Sequence, residues 1–204
     1  MDIVLATRNK DKISEIQQVL GNLSVRIHTF RDMGDLPIVK EDGRSLYENA
    51  LKKAKVISSW TKKLTLADDT GLEVDFLGKK PGVFSARFSS EDATDEENNE
   101  KLLSLLSGVP REKRKAHFRC VMVISFPEGR IERFESILDG EITTSAKGKH
   151  GFGYDPIFFV SELKKTLAEL NIEEKNKISH RGKALKKVYR FLEEIERVSI
   201  ENIQ

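Results

Sequence analysis

The spacing of apolar positions changes several times along the chain, and each change marks an element. Ile3-Val4-Leu5-Ala6 is a short unbroken apolar run, the pattern of a buried strand. Ile13, Ile16 and Leu20 then share one helical face, with Gly21 as the stop. Val25, Ile27 and Thr29 alternate as a second strand, and 34–40 with Pro37 is a connection. Ser45 and Glu48 have capping-box spacing, so a helix starts at Leu46 with Leu46, Ala50, Ala54 and Ile57 as its stripe. Leu64 to Ala67 is a third buried strand that ends at Asp68-Asp69, and Leu72 to Leu77 is another short one before the turn at 78–82. Thr94 and Glu97 open a helix whose apolar face is Leu102, Leu103, Leu105 and Leu106, and Gly108 and Pro110 end it. Ala116 to Phe126 alternates, and Ile131 to Ile142 returns after Pro127-Glu128-Gly129 as a long hairpin. Ile157 to Val160 resumes a strand, 166–170 is a short helix, and Leu185, Val188, Leu192 and Ile195 line a last helix. The order is β-α-β-α-β, then an antiparallel hairpin region, then strand and helix. That predicts an α/β fold on a mixed sheet. No repeat or linker divides residues 1–204, which read as one domain.

Composition narrows the partners. The 35 basic and 33 acidic residues leave a net charge of +2, so no overall field favours nucleic acid or a membrane surface. The single Cys120 excludes an internal disulfide framework, and its apolar neighbours make it a core residue. No signal peptide precedes Ile3 and no apolar run reaches membrane-spanning length, so a soluble cytoplasmic protein is expected.

Five stretches carry chemistry. Asp68 and Asp69 close the Leu64 to Ala67 run, so negative charge arrives at a strand's carboxyl end, where open α/β sheets bind ligands. Oxygen ligands there suit Mg²⁺, which takes one or two carboxylates plus substrate phosphates. An Asp-rich turn is the plainer alternative. Thr7-Arg8-Asn9-Lys10-Asp11-Lys12 joins the first strand to the first helix, a geometry in which helix N–H groups can hold an anion. It lacks the glycine spacing of a Walker A loop, and a solvated basic turn has the same composition. Asn49 and Lys53 share a helix face that points either toward Glu41 or to solvent. Phe152, between Gly151 and Gly153, is either held over a planar ligand or plugs a bend. The polar stretch 173–182 is rich in donors, whereas His117 alternates with core residues and reads as structural or exposed.

Taken in order, these motifs resemble the inosine triphosphate pyrophosphatase family. The likeness rests on Thr7-x-Asn9-x-x-Lys12, on Glu41-x-Gly43 leading to Glu48-Asn49-Ala50, and on Ala67-Asp68-Asp69-Thr70-Gly71. It continues through Pro81-Gly82 with Ser85-Ala86-Arg87-Phe88, Gly151-Phe152-Gly153-Tyr154-Asp155-Pro156 and Ser179-His180-Arg181-Gly182. The resemblance implies Mg²⁺-dependent hydrolysis of ITP, dITP and XTP to the monophosphate and pyrophosphate. It implies that Thr7 to Lys12, Lys53 and Thr70 contact the triphosphate. Glu41 and Asp69 would be metal ligands, with Asp68 beside them, and Asp69 would also be the general base. Phe152, Gly153, Tyr154, Asp155, Lys175, His180 and Arg181 would form the base and sugar pocket. It further implies an elongated central sheet, two lobes with the active-site cleft between them, and a homodimer paired through the region of Pro81 to Phe88.

The sequence departs from the family pattern at Arg8, Thr70 and His150, where Gly, Ser and Gly are common, and at Lys79-Lys80. Within nucleotide chemistry the rival is a Maf-like pyrophosphatase. Outside enzymology it is a nucleotide- or RNA-binding module that stacks bases on Phe152. Three carboxylates in the proposed site disfavour the module, because they repel phosphate unless a metal intervenes. An arginine only donates hydrogen bonds, so Arg181 aimed at the purine 6-position would donate to an oxo group and disfavour the adenine amine. GTP, with its own 6-oxo group, is then expected to be the best of the wrong substrates.

Overall fold

The apolar run at the start of the chain forms β1 (Asp2–Leu5), followed by α1 (Lys10–Leu20), β2 (Arg26–His28), α2 (Phe30–Met33) and α3 (Leu46–Thr61). Next come β3 (Leu64–Val74), β4 (Lys80–Gly82), α4 (Asp95–Leu105), β5 (Lys115–Ser125) and β6 (Ile131–Ile142). β7 (Phe158–Val160), β8 (Lys165–Thr166), α5 (Ile172–Ile178) and α6 (His180–Glu201) complete the order. The structure, a computed structural model, describes residues 1–34 and 36–201, with side chains as far as 198. Asp35, within the connection expected over 34–40, lies outside the described residues.

The strands form one eight-stranded mixed sheet in the order β2-β1-β3-β5-β6-β7-β8, with β4 also pairing β3. β1 is parallel to both β2 and β3, with Ile3 opposite Ile27 and Leu64. The helices α1 and α3 make the crossovers that parallel neighbours require. β4, β7 and β8 join antiparallel.

The chain packs as two units. The first comprises 1–69, 120–136 and 181 onward. Its core joins Ile3, Leu5, Leu64 and Leu66 of the strands to Ile16 and Leu20 of α1 and Leu185, Val188 and Leu192 of α6. The second unit comprises 70–119 and 137–180. Its core is Leu72, Val74, Leu102, Leu106, Phe118, Ile142, Tyr154, Phe158 and their neighbours. The stripes expected for α1, α3 and α6 are buried apart from the half-buried Ile13 and Ile195, and Cys120 is a core residue.

Five local expectations are corrected. β3 does not end at Asp68-Asp69 but continues to Val74 as an eleven-residue strand. The ladder explains this: β1 flanks its first residues, β4 its last, and β5 lies on the other edge. Thr29 is no strand residue; its hydroxyl caps α2, with Asp32 returning the bond in a capping box. The short helix expected over 166–170 is Thr166 at the end of β8 followed by a single 3-10 turn over Leu167–Glu169, and the polar stretch after it is α5 and the start of α6, capped by Asn171 with Glu174. Finally, Leu105 is exposed, while Leu102 and Leu106 carry the buried face of their segment.

Candidate active site

β1 stops at Leu5, and its last rung is the Ala6 N–H donated to the Leu66 carbonyl at 2.8 Å. β3 runs on, so Asp68 and Asp69 lie beyond the carboxyl end of β1. Side chains of a strand alternate between its faces. Asp68 therefore shares a face with Leu64 and Leu66, which pack with α1 and α6, while Asp69 turns the other way.

Asp68 is 1% exposed and sits among cations. Lys12 Nζ lies 2.9 Å from Oδ2, and Arg181 donates to the same oxygen through Nε and Nη2 at 3.4 Å. Arg181 also donates through Nη1 to Glu15 at 2.7 Å. Burial by itself raises a carboxyl pKa, but Lys12, Arg181 and Lys53 outweigh it and hold Asp68 well below the usual carboxylate range. Glu15, one turn after Lys12 on α1, was not singled out by the sequence. Its only signal there was a charged residue beside the apolar Ile16.

Asp69, 7% exposed, has different company. Asn49 of α3 donates from Nδ2 to Asp69 Oδ2 at 3.0 Å, and its own Oδ1 accepts the Gly43 N–H at 2.8 Å. A Cβ on Gly43 would lie 2.7 Å from that Asn49 oxygen, so the glycine lets the Glu41 loop close on α3. Lys53, one turn further along α3, places Nζ 2.9 Å from Glu41 and 3.9 Å from Asp69. Burial raises the Asp69 carboxyl above its ordinary value, helped by Glu41 and only partly offset by Lys53 and Lys12. Burial pushes the Lys53 ammonium down, yet Asp69, Asp68 and Glu41 together push it up, so it stays charged. The Asn49/Lys53 face thus points inward toward Glu41 rather than to solvent.

The β1–α1 loop is built around Asn9. Its side chain accepts the N–H groups of Asp11 and Lys12 at 2.9 and 3.0 Å, and Thr7 Oγ1 accepts that of Asn9. Lys10 and Asp11 are exposed. Arg8 lies over the Phe30 ring at 4.6 Å and donates to the Leu36 carbonyl, tying this loop to the next connection.

Donor chemistry tests the metal expectation. Glu41 and Asp69 converge on one cationic atom, Lys53 Nζ. Among the described residues no group of three or more His, Cys, Asp or Glu side chains forms a metal cluster. Two hard carboxylates fit a divalent cation that keeps waters and takes phosphate oxygens from substrate. They do not form the closed cage of a structural ion. Asp68 is committed to Lys12 and Arg181 on the opposite face of β3.

In the second unit the glycine-rich stretch closes on Asp155. Gly151 has φ +75°, and a Cβ there would lie 2.1 Å from Asp155 Oδ2, so only glycine fits. That oxygen accepts the Phe152 N–H at 3.0 Å and is paired with the buried Lys175 of α5. Lys175 Nζ also lies 4.6 Å from the Phe152 ring centroid. Tyr154 is buried and donates to the Ser85 carbonyl at 2.8 Å; burial raises its phenol pKa. His180 stacks on Phe118 with centroids 4.4 Å apart. His150 is exposed, its N–H donated to the Ala168 carbonyl. His117 bridges Asp139 and Asp75 at 2.7 and 3.1 Å.

The structure thus brings Glu41, Lys53 and Asp69 together, and Lys12 with Asp68 and Arg181. It separately brings Phe152, Asp155 and Lys175 together. Arg181, grouped with Phe152 by its motif, has its guanidinium on Glu15 and Asp68.

Residues 3–191 match the model of the Ham1 family. The chain belongs to that family. A dITP/XTP pyrophosphatase of Geobacter sulfurreducens is 52% identical over 90% of this chain and 92% of its own length. Another, from Desulforamulus reducens, is 50% identical over 94% and 96%. Among solved structures, a HAM1 protein from Coxiella burnetii superposes with a TM-score of 0.87 at 38% identity, covering 95% of this chain and 99% of its own. The Ham1 protein of Staphylococcus aureus gives 0.84 at 38% identity, covering 95% and 98%. The mixed α/β architecture is therefore the Ham1 architecture.

Proposed function

We propose that this Ham1 protein is a nucleoside triphosphate pyrophosphatase acting on dITP and XTP, and on ITP with them. The products are the monophosphate and pyrophosphate, and the reaction serves the cytoplasmic nucleotide pool. The observation that carries the reading is the convergence of Glu41 and Asp69 on one cationic centre, in a chain about half identical to dITP/XTP pyrophosphatases.

Hydrolysis at phosphorus needs charge neutralisation, positioning and an activated water. Mg²⁺ held by Glu41 and Asp69 would supply charge neutralisation and polarise a phosphoryl oxygen. Asp69 takes the proton of the attacking water. Lys53 and Lys12 carry positive charge toward the phosphates, and Thr7, Arg8, Asn9, Lys10, Asp11 and Thr70 line their path. We assign the base and sugar to Phe152, Gly153, Tyr154, Asp155, Lys175 and His180, with the purine stacked on Phe152.

The reading includes a homodimer. The exposed Phe84 borders a hollow of about 450 Å³ with Pro81, Val83, Arg87 and Phe88, an apolar surface suited to a second copy. Function is tested by pyrophosphate release from XTP, ITP, ATP and dTTP with and without Mg²⁺. Release from XTP and ITP only when Mg²⁺ is present supports the reading; equal turnover of ATP and dTTP sinks it.

A further inference from the structure

The helix α4 reaches the loop of Phe152 through two side chains. Asp95 and Asn99 are four residues apart and share one helical face. Asp95 Oδ2 accepts the Gly153 N–H at 2.6 Å, and Asn99 Nδ2 donates to the Gly153 carbonyl at 3.0 Å. The N–H belongs to the peptide unit leaving Phe152, and the carbonyl to the unit entering Tyr154. One helix therefore holds both peptide planes beside Gly153. That glycine has φ +62°, and a Cβ built on it meets nothing within 4 Å. It is there for its conformation rather than for space, and the conformation is what α4 holds.

Phe152 is consequently tied on both sides. Its own N–H is on Asp155, and the next N–H is on Asp95. Its ring in turn lies against Lys175, whose Nζ is 4.6 Å from the centroid. Helix α4 is itself well anchored. Thr94 and Glu97 cap it reciprocally, and Asn98 accepts the Ser89 N–H while donating to the Ala86 carbonyl.

We propose that Asp95 and Asn99 are positioning residues for purine recognition, fixing the backbone at Gly153 so that the Phe152 ring is set before the base arrives. The proposal rests on the reading of Phe152 as the stacking ring. A loop ordered in advance loses less freedom on binding, so the clamp acts on affinity for the base and not on the chemical step.

Steady-state kinetics with XTP test it, using inorganic triphosphate as a base-free competitor. Losing one net hydrogen bond corresponds to roughly a five- to tenfold effect. Asp95→Ala and Asn99→Leu are expected to raise KM by roughly that factor, with kcat within about twofold and Ki for triphosphate unchanged. Asp95→Asn, whose amide oxygen still accepts from Gly153, is expected to stay near the parent. In a Phe152→Ala background, Asp95→Ala should add nothing further, because the ring it positions is gone. An unchanged KM in Asp95→Ala overturns the proposal. So does a Ki that rises in step with KM, or a full additional factor on top of Phe152→Ala. If Phe152→Ala alone leaves KM unaltered, the stacking reading itself fails, which separates the two.

Discussion

Asp68 and Asp69 are the same residue type, one peptide apart on one strand, and both are buried. Their carboxyls are nevertheless shifted in opposite directions, Asp68 down and Asp69 up. Burial pushes both up; the difference is the number of close cations. Asp68 has Lys12 at 2.9 Å and Arg181 at 3.4 Å. Asp69 has an amide at 3.0 Å and an ammonium only at 3.9 Å, which Glu41 shares. A fixed carboxylate ringed by arginine and lysine suits a structural anchor. A buried carboxylate with a raised pKa beside Glu41 and Lys53 suits proton and metal chemistry. The alternation of a strand has thus given two neighbouring acids two different surroundings.

The sharpest way to break this comparison is to neutralise each acid in turn. Asp69→Asn is expected to lower kcat by roughly 10²–10⁴-fold, the range for a general base, with stability against urea unchanged or slightly raised. Near-normal turnover in a folded variant would remove Asp69 from the chemistry. Asp68→Asn should instead lower stability by about 3 kcal/mol, because it leaves buried cations without their anion. If Asp68→Asn is fully stable but inactive, the division of labour fails.

The pH dependence of stability sharpens the same contrast. A carboxyl depressed on folding, like Asp68, contributes stability that is present above its unfolded pKa of about 3.9 and is lost as pH falls through the folded value. A raised one, like Asp69, has the opposite sign, its contribution being lost as pH rises from the unfolded to the folded value. Urea unfolding across acid pH should therefore show a shallower acid loss for Asp68→Asn than for the parent. An identical profile would count against the ion network.

Arg181→Ala tests the other end of that network. It leaves Glu15 and Asp68 with less compensation, so it should destabilise the fold by about 3 kcal/mol and lower activity on XTP and ATP alike. A loss confined to XTP would return Arg181 to reading the purine 6-oxo group. A smaller effect is expected from Glu41→Gln, since Glu41 is partly exposed: a higher Mg²⁺ midpoint with little change in saturated rate. An unmoved Mg²⁺ titration would exclude Glu41 as a ligand. Smaller again is the dimer surface, where Phe84→Ser should shift sedimentation from twice 23.2 kDa toward 23.2 kDa with activity per subunit largely kept. A parent protein that already sediments as 23.2 kDa at micromolar concentration would remove the dimer.

Much of this was determined by the chain itself. Local periodicity is enough to set β1, α1, α3 and α6, because each buries one stripe whose spacing is written in consecutive residues. Capping residues such as Ser45 and Thr94 mark helix starts for the same reason. The motifs grouped Asp69, Glu41 and Lys53, but they put Asp68 beside Asp69; that the two acids face apart follows only once β3 is seen to run through them. Where β3 ends was not local, since Asp-Asp-Thr-Gly reads as a turn until β4 and β5 supply its ladder partners. Nor could the chain's order say which cations each acid meets. Arg181 reaches Asp68 from 113 residues away and Glu15 from 166. Such pairings leave no periodic trace in sequence; the packing of α1 and α6 on one face of β3 and α3 on the other decides them, and with them the opposite pKa shifts of two adjacent aspartates.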